Sequence, residues 1–425
     1  MSYWVPLVAM MWNSKNWHRM HPSNGQLLLI PEKLKLPNYS GSIIRLRIMP
    51  ICSRILARLW PVALVLFSGL AWADWENHRG DPSLQGISSD HLGDELNLEW
   101  TFEAGKFLKS SPVVSAGKIF LGGPTGIFHA VDFKTGKEIW KAEAGIGVDA
   151  PALIFGKDVF IGTKDGWLIC LDVLTGKKKW SYETMGEIVG APNYGFLSES
   201  NRSVILVGSY DNFVHCVDAI TGKLVWKFET LNYINGTPAI WNNEAVVFGG
   251  CDAQLYIVSL SDGKLIRQVE LGAPIASSVG VKDNYGYVGN MDKTVHAIDL
   301  DTGEIGWSYE PRNFPYFSSP ALTDELVIIG GRDKGLHGID RKTGKQKWRH
   351  SARGRIDGSP VVVGNKIIVG SMDGKLYQID VRTGKVITQY EIGASISSTC
   401  AVSNGWIFVG CEDGSLYAFS TGNPK

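Results

Sequence analysis

Four histidines recur in register along this chain: His129, His215, His296 and His337. Ile169, Tyr256, Tyr377 and Tyr417 hold the matching places in the other copies. A set of imidazoles suits zinc ligation or proton transfer. A second recurring series is acidic: Asp165, Asp211, Asp252, Asp292, Asp333, Asp373 and Asp413. Carboxylates that converge on one point would suit a hard cation such as calcium. Equivalent positions on successive repeats stand too far apart for bonds of about 2 Å to one ion. The histidines therefore read as aromatic packing residues with a polar tip. The aspartates read first as turn formers.

The five cysteines after residue 73 are Cys170, Cys216, Cys251, Cys400 and Cys411. An odd count leaves at least one unpaired within the chain. A turn at Asn404-Gly405 sets Cys400 opposite Val409, which makes Cys411 only a diagonal neighbour, too far for a relaxed disulfide. We read all five as small buried thiols.

The elements that carry these residues repeat. AVDFKTGKEIW (130–140) returns as CLDVLTGKKKW (170–180), CVDAITGKLVW (216–226), AIDLDTGEIGW (297–307) and GIDRKTGKQKW (338–348), with weaker copies at 257–267 and 378–388. The turn glycines Gly136, Gly176, Gly222, Gly263, Gly303, Gly344 and Gly384 are spaced 40, 46, 41, 40, 41 and 40 apart. Each period also holds a small-residue phrase such as SSP or GTP, an apolar run, a turn, and a second apolar run ending in glycine. That pattern gives four short strands, A to D, in about 40 residues, which is a propeller blade. The B-strand glycines count eight blades. The last stops before its D strand, and LEWTFEAG (98–105) supplies a D strand with nothing before it. The expected fold is all-β: an eight-bladed β-propeller of four-stranded antiparallel blades, the last closed by the N-terminal strand.

Within the phrase, Asp132 is expected to capture turn N–H groups and Gly136 to supply a positive φ. The Trp at its end is expected to dock between blades, in a girdle of Trp100, Trp140, Trp180, Trp226, Trp307 and Trp348. Arg267 and Thr388 replace it in blades 4 and 7, the expected weaker junctions.

The phrase A-x-D-x-x-T-G-x-x-x-W resembles the tryptophan-docking motif of the PQQ-like, or quinoprotein-type, β-propeller superfamily, across residues 98–425. The segment DWENHRGDPSLQGIS (74–88) resembles the W-x-x-x-R-G lead-in of exported members, through Trp75, Arg79 and Gly80. The character is closest to the non-catalytic propeller of the outer-membrane β-barrel assembly machine. The other branch, the quinoprotein alcohol and glucose dehydrogenases, implies PQQ with calcium and a vicinal cysteine pair. No two cysteines are adjacent here, and no catalytic, cofactor-binding or metal residue carries over by motif.

The N-terminus reads as an export signal. Arg54 and Arg58 precede the apolar run LWPVALVLFSGLAWA (59–73), which ends in an A-x-A cleavage pattern after Ala73. The run is shorter than the roughly 20 residues of a membrane-spanning helix. The expected division is an upstream extension over 1–48 with a true start at Met49, a signal peptide over 49–73, a lead-in over 74–97 and the propeller over 98–425. Residues 1–73 hold eight of the 42 Lys/Arg and one of the 42 Asp/Glu, so 34 bases face 41 acids in the remainder. A mildly acidic body without a basic stripe excludes nucleic acid as the expected partner.

Loops entering strand A differ most between copies. LNYINGT (231–237) offers Tyr233 and Asn235. RNFPYFSS (312–319) is expected to expose Phe314, Tyr316 and Phe317 beside Arg312. SARGRIDGS (351–359) offers Arg353, Arg355 and Asp357. Arg with aromatics is the composition of interface hot spots, and these loops are expected to form one patch across blades 4, 6 and 7. The insertion SESNR (198–202) in blade 3 reads as a plain surface loop. The chain thus reads as an exported, monomeric periplasmic scaffold that binds envelope proteins. The alternatives are a PQQ-dependent oxidoreductase with calcium, or a sensor with a small ligand in the axial channel.

Overall fold

The computed structural model describes residues 74–422. The expected extension (1–48) and signal peptide (49–73) lie outside the described residues. Each repeat folds as its pattern dictates. In blade 1 the strands are Val113–Ser115, Lys118–Gly122, Ile127–Asp132 and Glu138–Glu143, paired in sequence order as one antiparallel sheet. Strands B and C are almost wholly buried, while strand D alternates, as expected of the outermost strand. Eight such sheets form. In the eighth, the D strand is β2 (Asn97–Glu103), paired with Ser415–Ser420 from the far end of the chain. The last blade is closed by the N-terminal strand, as expected.

The C–D corner shows why the phrase has its residues. The Asp132 carboxylate accepts from the N–H groups of Lys134 and Thr135 and from the Thr135 hydroxyl, at 2.7–3.2 Å. Gly136 sits at φ 67°. A Cβ there would lie 2.6 Å from the Trp100 indole of the preceding blade, so the glycine is needed for close approach as well as for its turn. Trp100 also donates from Nε1 to the Phe133 carbonyl at 3.2 Å. Trp140, Trp180, Trp226, Trp307 and Trp348 repeat the same donation, each to the next blade. Arg267 takes the Trp position over Gly303 and donates to the Asp301 carbonyl. After Thr388 the next blade has no C–D hairpin to receive a Trp, because its D strand is β2.

The small-residue phrases face the axis and knit the blades together. The N–H groups of Thr237, Ser278, Ser319, Ser359 and Thr399 donate in turn to the hydroxyls of Ser278, Ser319, Ser359, Thr399 and Ser111, at 2.9–3.2 Å. Each bond crosses one blade junction, and the last joins blade 8 to blade 1.

The lead-in is a belt. Trp75 exchanges two backbone hydrogen bonds with Val114 of blade 1 at 2.9 Å. Ile154 of blade 2 donates to Glu76, and Asn77 donates to Asn193 of blade 3. Ile240, Val281, Leu322 and Val362, in blades 4 to 7, donate to the carbonyls of Pro82, Ser83, Gln85 and Gly86. Strand β1 (Ile87–Ser88) then pairs in parallel with strand A of blade 7 (Val361–Val363). Asp90 and Gly93 meet Gly405 and Thr421 of blade 8. The segment therefore visits every blade in order, on the inner strand and near its A–B turn. Trp75, Arg79 and Leu84 are buried under it. Arg79 donates to the Pro320 carbonyl of blade 6 from a backbone held beside blade 3.

Candidate functional site

On one face of the propeller lie the B–C turns and the D–A loops. The turn aspartates tie these two sets together. Asp211, Asp252 and Asp373 accept from the backbone N–H groups of Met185, Leu231 and Arg353, each in the loop arriving from the previous blade, at 2.9–3.1 Å. The same carboxylates hold the strand-C series. His215 lies 3.0 Å from Asp211 and His337 lies 3.1 Å from Asp333. The hydroxyls of Tyr256, Tyr377 and Tyr417 donate to Asp252, Asp373 and Asp413 at 2.6–2.9 Å. The two series read separately in the sequence thus meet, four residues apart, in blades 3, 4, 6, 7 and 8. In these five blades the turn carboxylate binds its own strand C, and in three of them it also holds the loop arriving from the previous blade.

Asp333 is the most heavily used of them. Burial acts to raise its pKa, but hydrogen bonding and charge from His337, with the charge and hydrogen bonds of Arg349, bring it down to about 2. Arg349 grips it at 2.9 Å and 3.1 Å, and the Arg312 guanidinium lies 3.8 Å away. Next to it in sequence, Arg332 makes a two-pronged pair with Asp357 at 3.0 Å. Arg355 meets the same carboxylate at 3.2 Å. Arg332 also lies 3.6 Å above the Phe317 ring centroid, a cation–π contact. The loops entering blades 6 and 7 are therefore joined through Arg332, Asp333 and Asp357. Their outer surface carries Arg312, Arg353, Arg355 and Phe314, all exposed.

The residues expected to form one patch fall into two places. Arg312, Phe314, Arg353, Arg355 and Asp357 gather on blades 6 and 7. Tyr316 does not join them. It was expected to be exposed, and it is 2% exposed. Its ring packs over Gly289 and edge-on to His337, since a glycine ending strand B leaves a hole that a large side chain fills. Phe317, also expected to be exposed, is partly covered by Arg332. Tyr233 and Asn235 belong to a separate group on blades 3 and 4. Tyr233 stacks on Tyr210 with centroids 4.8 Å apart, and Asn235 accepts from the Tyr210 hydroxyl and donates to Cys251 Sγ at 2.8 Å. All five cysteines are free thiols, but Cys251 is only partly buried, which corrects the expectation of five buried ones. The insertion at 198–202 is more than a plain loop, since Ser198, Glu199, Ser200 and Arg202 line a 430 Å³ hollow on the opposite face.

Sequence reading missed Arg332, Arg349 and Tyr210. Arg332 and Tyr210 occupy the position just before a turn aspartate, so the signal lay in comparing that position between repeats.

A quinone with calcium would need several oxygen ligands at one point. The turn carboxylates of Asp211, Asp252, Asp333, Asp373 and Asp413 stand in separate blades and already accept from backbone, His, Tyr or Arg. Among the described residues, no three or more His, Cys, Asp or Glu side chains are placed to hold a metal ion.

The family model described as outer membrane protein assembly factor BamB, PQQ_2, matches residues 93–195 and 251–425, more than half of the chain. A comparison with curated proteins finds no match. Among solved structures, BamB from Moraxella catarrhalis is similar at 20% identity and TM-score 0.66, covering 78% of this chain and 99% of that one. The quinohemoprotein alcohol dehydrogenase from Comamonas testosteroni is similar at 14% identity and TM-score 0.70, covering 83% and 81%. At these identities the structural likeness speaks for the fold, which assembly factors and dehydrogenases share. The extent of the sequence match decides the family: the chain belongs to the PQQ-like propellers described as outer membrane protein assembly factor BamB.

Proposed function

We propose that this chain is an exported periplasmic scaffold of the outer-membrane assembly type, and that it grips a protein partner with the loop face of blades 6 and 7. The observation behind this reading is the group of Arg312, Arg353, Arg355 and Phe314, exposed on loops that Asp333, Asp357 and Asp373 hold in place. Loops fixed in advance lose less entropy on binding. Arginine with aromatics is the composition of binding hot spots. An extended partner segment laid across this face would meet guanidinium groups and one exposed ring, and strand addition to a sheet edge would complete the grip. Among the described residues, no helix is long and apolar enough to cross a membrane.

The test is site-specific photo-crosslinking in intact cells, with the reactive group at Phe314 or Arg353 and, as a control on the opposite face, at Lys137. The expected result is a crosslink from the first two sites, but not the third, to a component of the β-barrel assembly machine. Arg353→Glu with Arg355→Glu should weaken that complex by about tenfold or more. Equal yields from all three sites, or a shift in melting temperature with PQQ and calcium accompanied by dye-linked alcohol oxidation, would overturn the reading.

A further inference from the structure

The opposite face, with its A–B and C–D turns, carries a site that the scaffold role does not use. In every blade the residue before the docking position is bulged out of strand D. In blade 5 Ala297 faces Trp307 and Ile298 faces Ile305, so the bulged residue is Gly306. Its counterparts are Glu99, Ile139, Lys179, Val225, Ile266, Lys347 and Ile387. Only blade 5 leaves the bulge without a side chain. A glycine inside a strand often marks a place where a ligand approaches closely.

Gly306 lines a 590 Å³ cavity at the junction of blades 5 and 6. That volume lies within the ~300–1,000 Å³ of small-molecule sites. One side is aromatic: Tyr285 and Trp307 are partly exposed, and Tyr287 stands behind them with its ring centroid 6.0 Å from that of Trp307. The other side is polar. Arg341 Nη1 donates to Asp283 Oδ2 at 2.7 Å across the junction. Asp283, Asn284 and Lys342 are exposed at the rim.

From this juxtaposition we propose that the cavity beside Gly306 binds a neutral pyranose saccharide. The C–H face of a sugar ring is apolar and slightly positive, which suits the negative face of an aromatic ring. Its hydroxyls both donate and accept, and the rim supplies both partners. Acceptors are the Asp283 carboxylate and the Asn284 amide oxygen, and donors are Lys342 and the Arg341 guanidinium. A purely aromatic ligand would leave these rim groups unused. A small anion would meet Asp283.

The test uses the purified full chain and two probes, maltotriose and N,N′,N″-triacetylchitotriose, followed by tryptophan fluorescence and ligand-observed NMR. At least one trisaccharide should bind saturably. Gly306→Ile places the residue found in blades 1, 4 and 7 into the cavity. A Cβ at 306 would lie 3.4 Å from Tyr285 and 3.7 Å from the Ala297 carbonyl, so the substitution fits without strain. It should weaken binding by about tenfold or more, roughly 1.4 kcal/mol, at an unchanged melting temperature. Asp283→Ala should weaken it as well. Absence of saturable binding of either sugar, or equal binding by Gly306→Ile, overturns the proposal. So does tighter binding of indole than of sugar. The scaffold reading stands or falls separately, because its crosslinking sites lie on the other face.

Discussion

His296 differs from the other histidines of its series in the company it keeps. His215 and His337 meet a turn carboxylate and His129 meets Glu138 at 2.8 Å, whereas the ring nitrogens of His296 face Ser308 Oγ at 2.9 Å and Asn290 Nδ2 at 3.4 Å. Asp292, four residues before it, is exposed. Burial therefore pushes the pKa of His296 down to about 4. Between about pH 6.5 and pH 4 the unfolded chain binds this proton and the folded chain does not. The stability that neutral His296 contributes is thus complete above pH 6.5 and is lost as the pH falls through that window. The expected loss between pH 7 and pH 5 is on the order of 1–2 kcal/mol from this residue alone. His296→Tyr, the residue of blades 4, 7 and 8, should flatten the fall in melting temperature over that range, measured by circular dichroism. An unchanged slope would show that His296 is not desolvated. At this scale the sequence was partly legible. The recurrence of Asp and His was visible, and so was the four-residue spacing that pairs them. The third partner was not. Tyr182 and Tyr309 reach His215 and His337 from the preceding blade, at 3.0 Å and 2.9 Å, and the chain between them gives no local sign of the contact.

The strand pair C–D shows a matching of volumes that explains which blades lack the Trp. Ala130, Cys170, Cys216, Ala297 and Gly338 stand directly across from Trp140, Trp180, Trp226, Trp307 and Trp348. A Cβ added to Gly338 would lie 2.2 Å from the Trp348 ring. Where the partner is smaller or more flexible, the opposite residue is larger: Ile257 faces Arg267 and Gln378 faces Thr388. Arg267 fills the docking place over Gly303, yet its Nε is buried without a hydrogen-bond partner, and so are both polar atoms of the Gln378 amide. These two elements carry an unmet polar cost that the Trp blades avoid. The expected behaviour is non-additive. Arg267→Trp alone overpacks against Ile257 and should destabilise by about 1–3 kcal/mol. Combined with Ile257→Ala it should recover, giving a coupling energy of roughly 1 kcal/mol or more in a urea-melt double-mutant cycle. Simple additivity would mean that the two side chains do not share one space. The repeated phrase made this element the most legible part of the chain, because a strand pair in contact lies within eleven residues.

At the scale of the whole molecule the belt matters most, and it was the least legible feature. Residues 74–95 have no repeat and little periodicity, and each of their bonds joins a different, distant blade. The resemblance of Trp75, Arg79 and Gly80 to a known lead-in marked the segment without showing its path. Gly80, at φ 88°, allows the turn: a Cβ there would lie 2.8 Å from the Ile87 carbonyl and 2.9 Å from the Trp75 ring. In an ordinary repeat protein each unit touches only its neighbours, so stability is a sum of local terms. Here one strand, β2, joins the first segment to the last blade, and the belt adds contacts that span the ring. Arg79, wholly buried and with its pKa lowered by burial to about 9, links the belt beside blade 3 to blade 6. Removing residues 74–88 while keeping β2 would free the inner edges of the A strands in seven blades at once. The ring would stay closed, but its blades would be coupled mainly through adjacent junctions. The expected outcome in calorimetry is a lower melting temperature and a transition that broadens or splits, with van't Hoff enthalpy below the calorimetric value. Trp75→Ala, which removes one buried anchor, should lower stability by about 3–5 kcal/mol and leave the transition single. A truncated chain that still melts in one step with equal enthalpies would show that the blades, and not the belt, make the propeller cooperative.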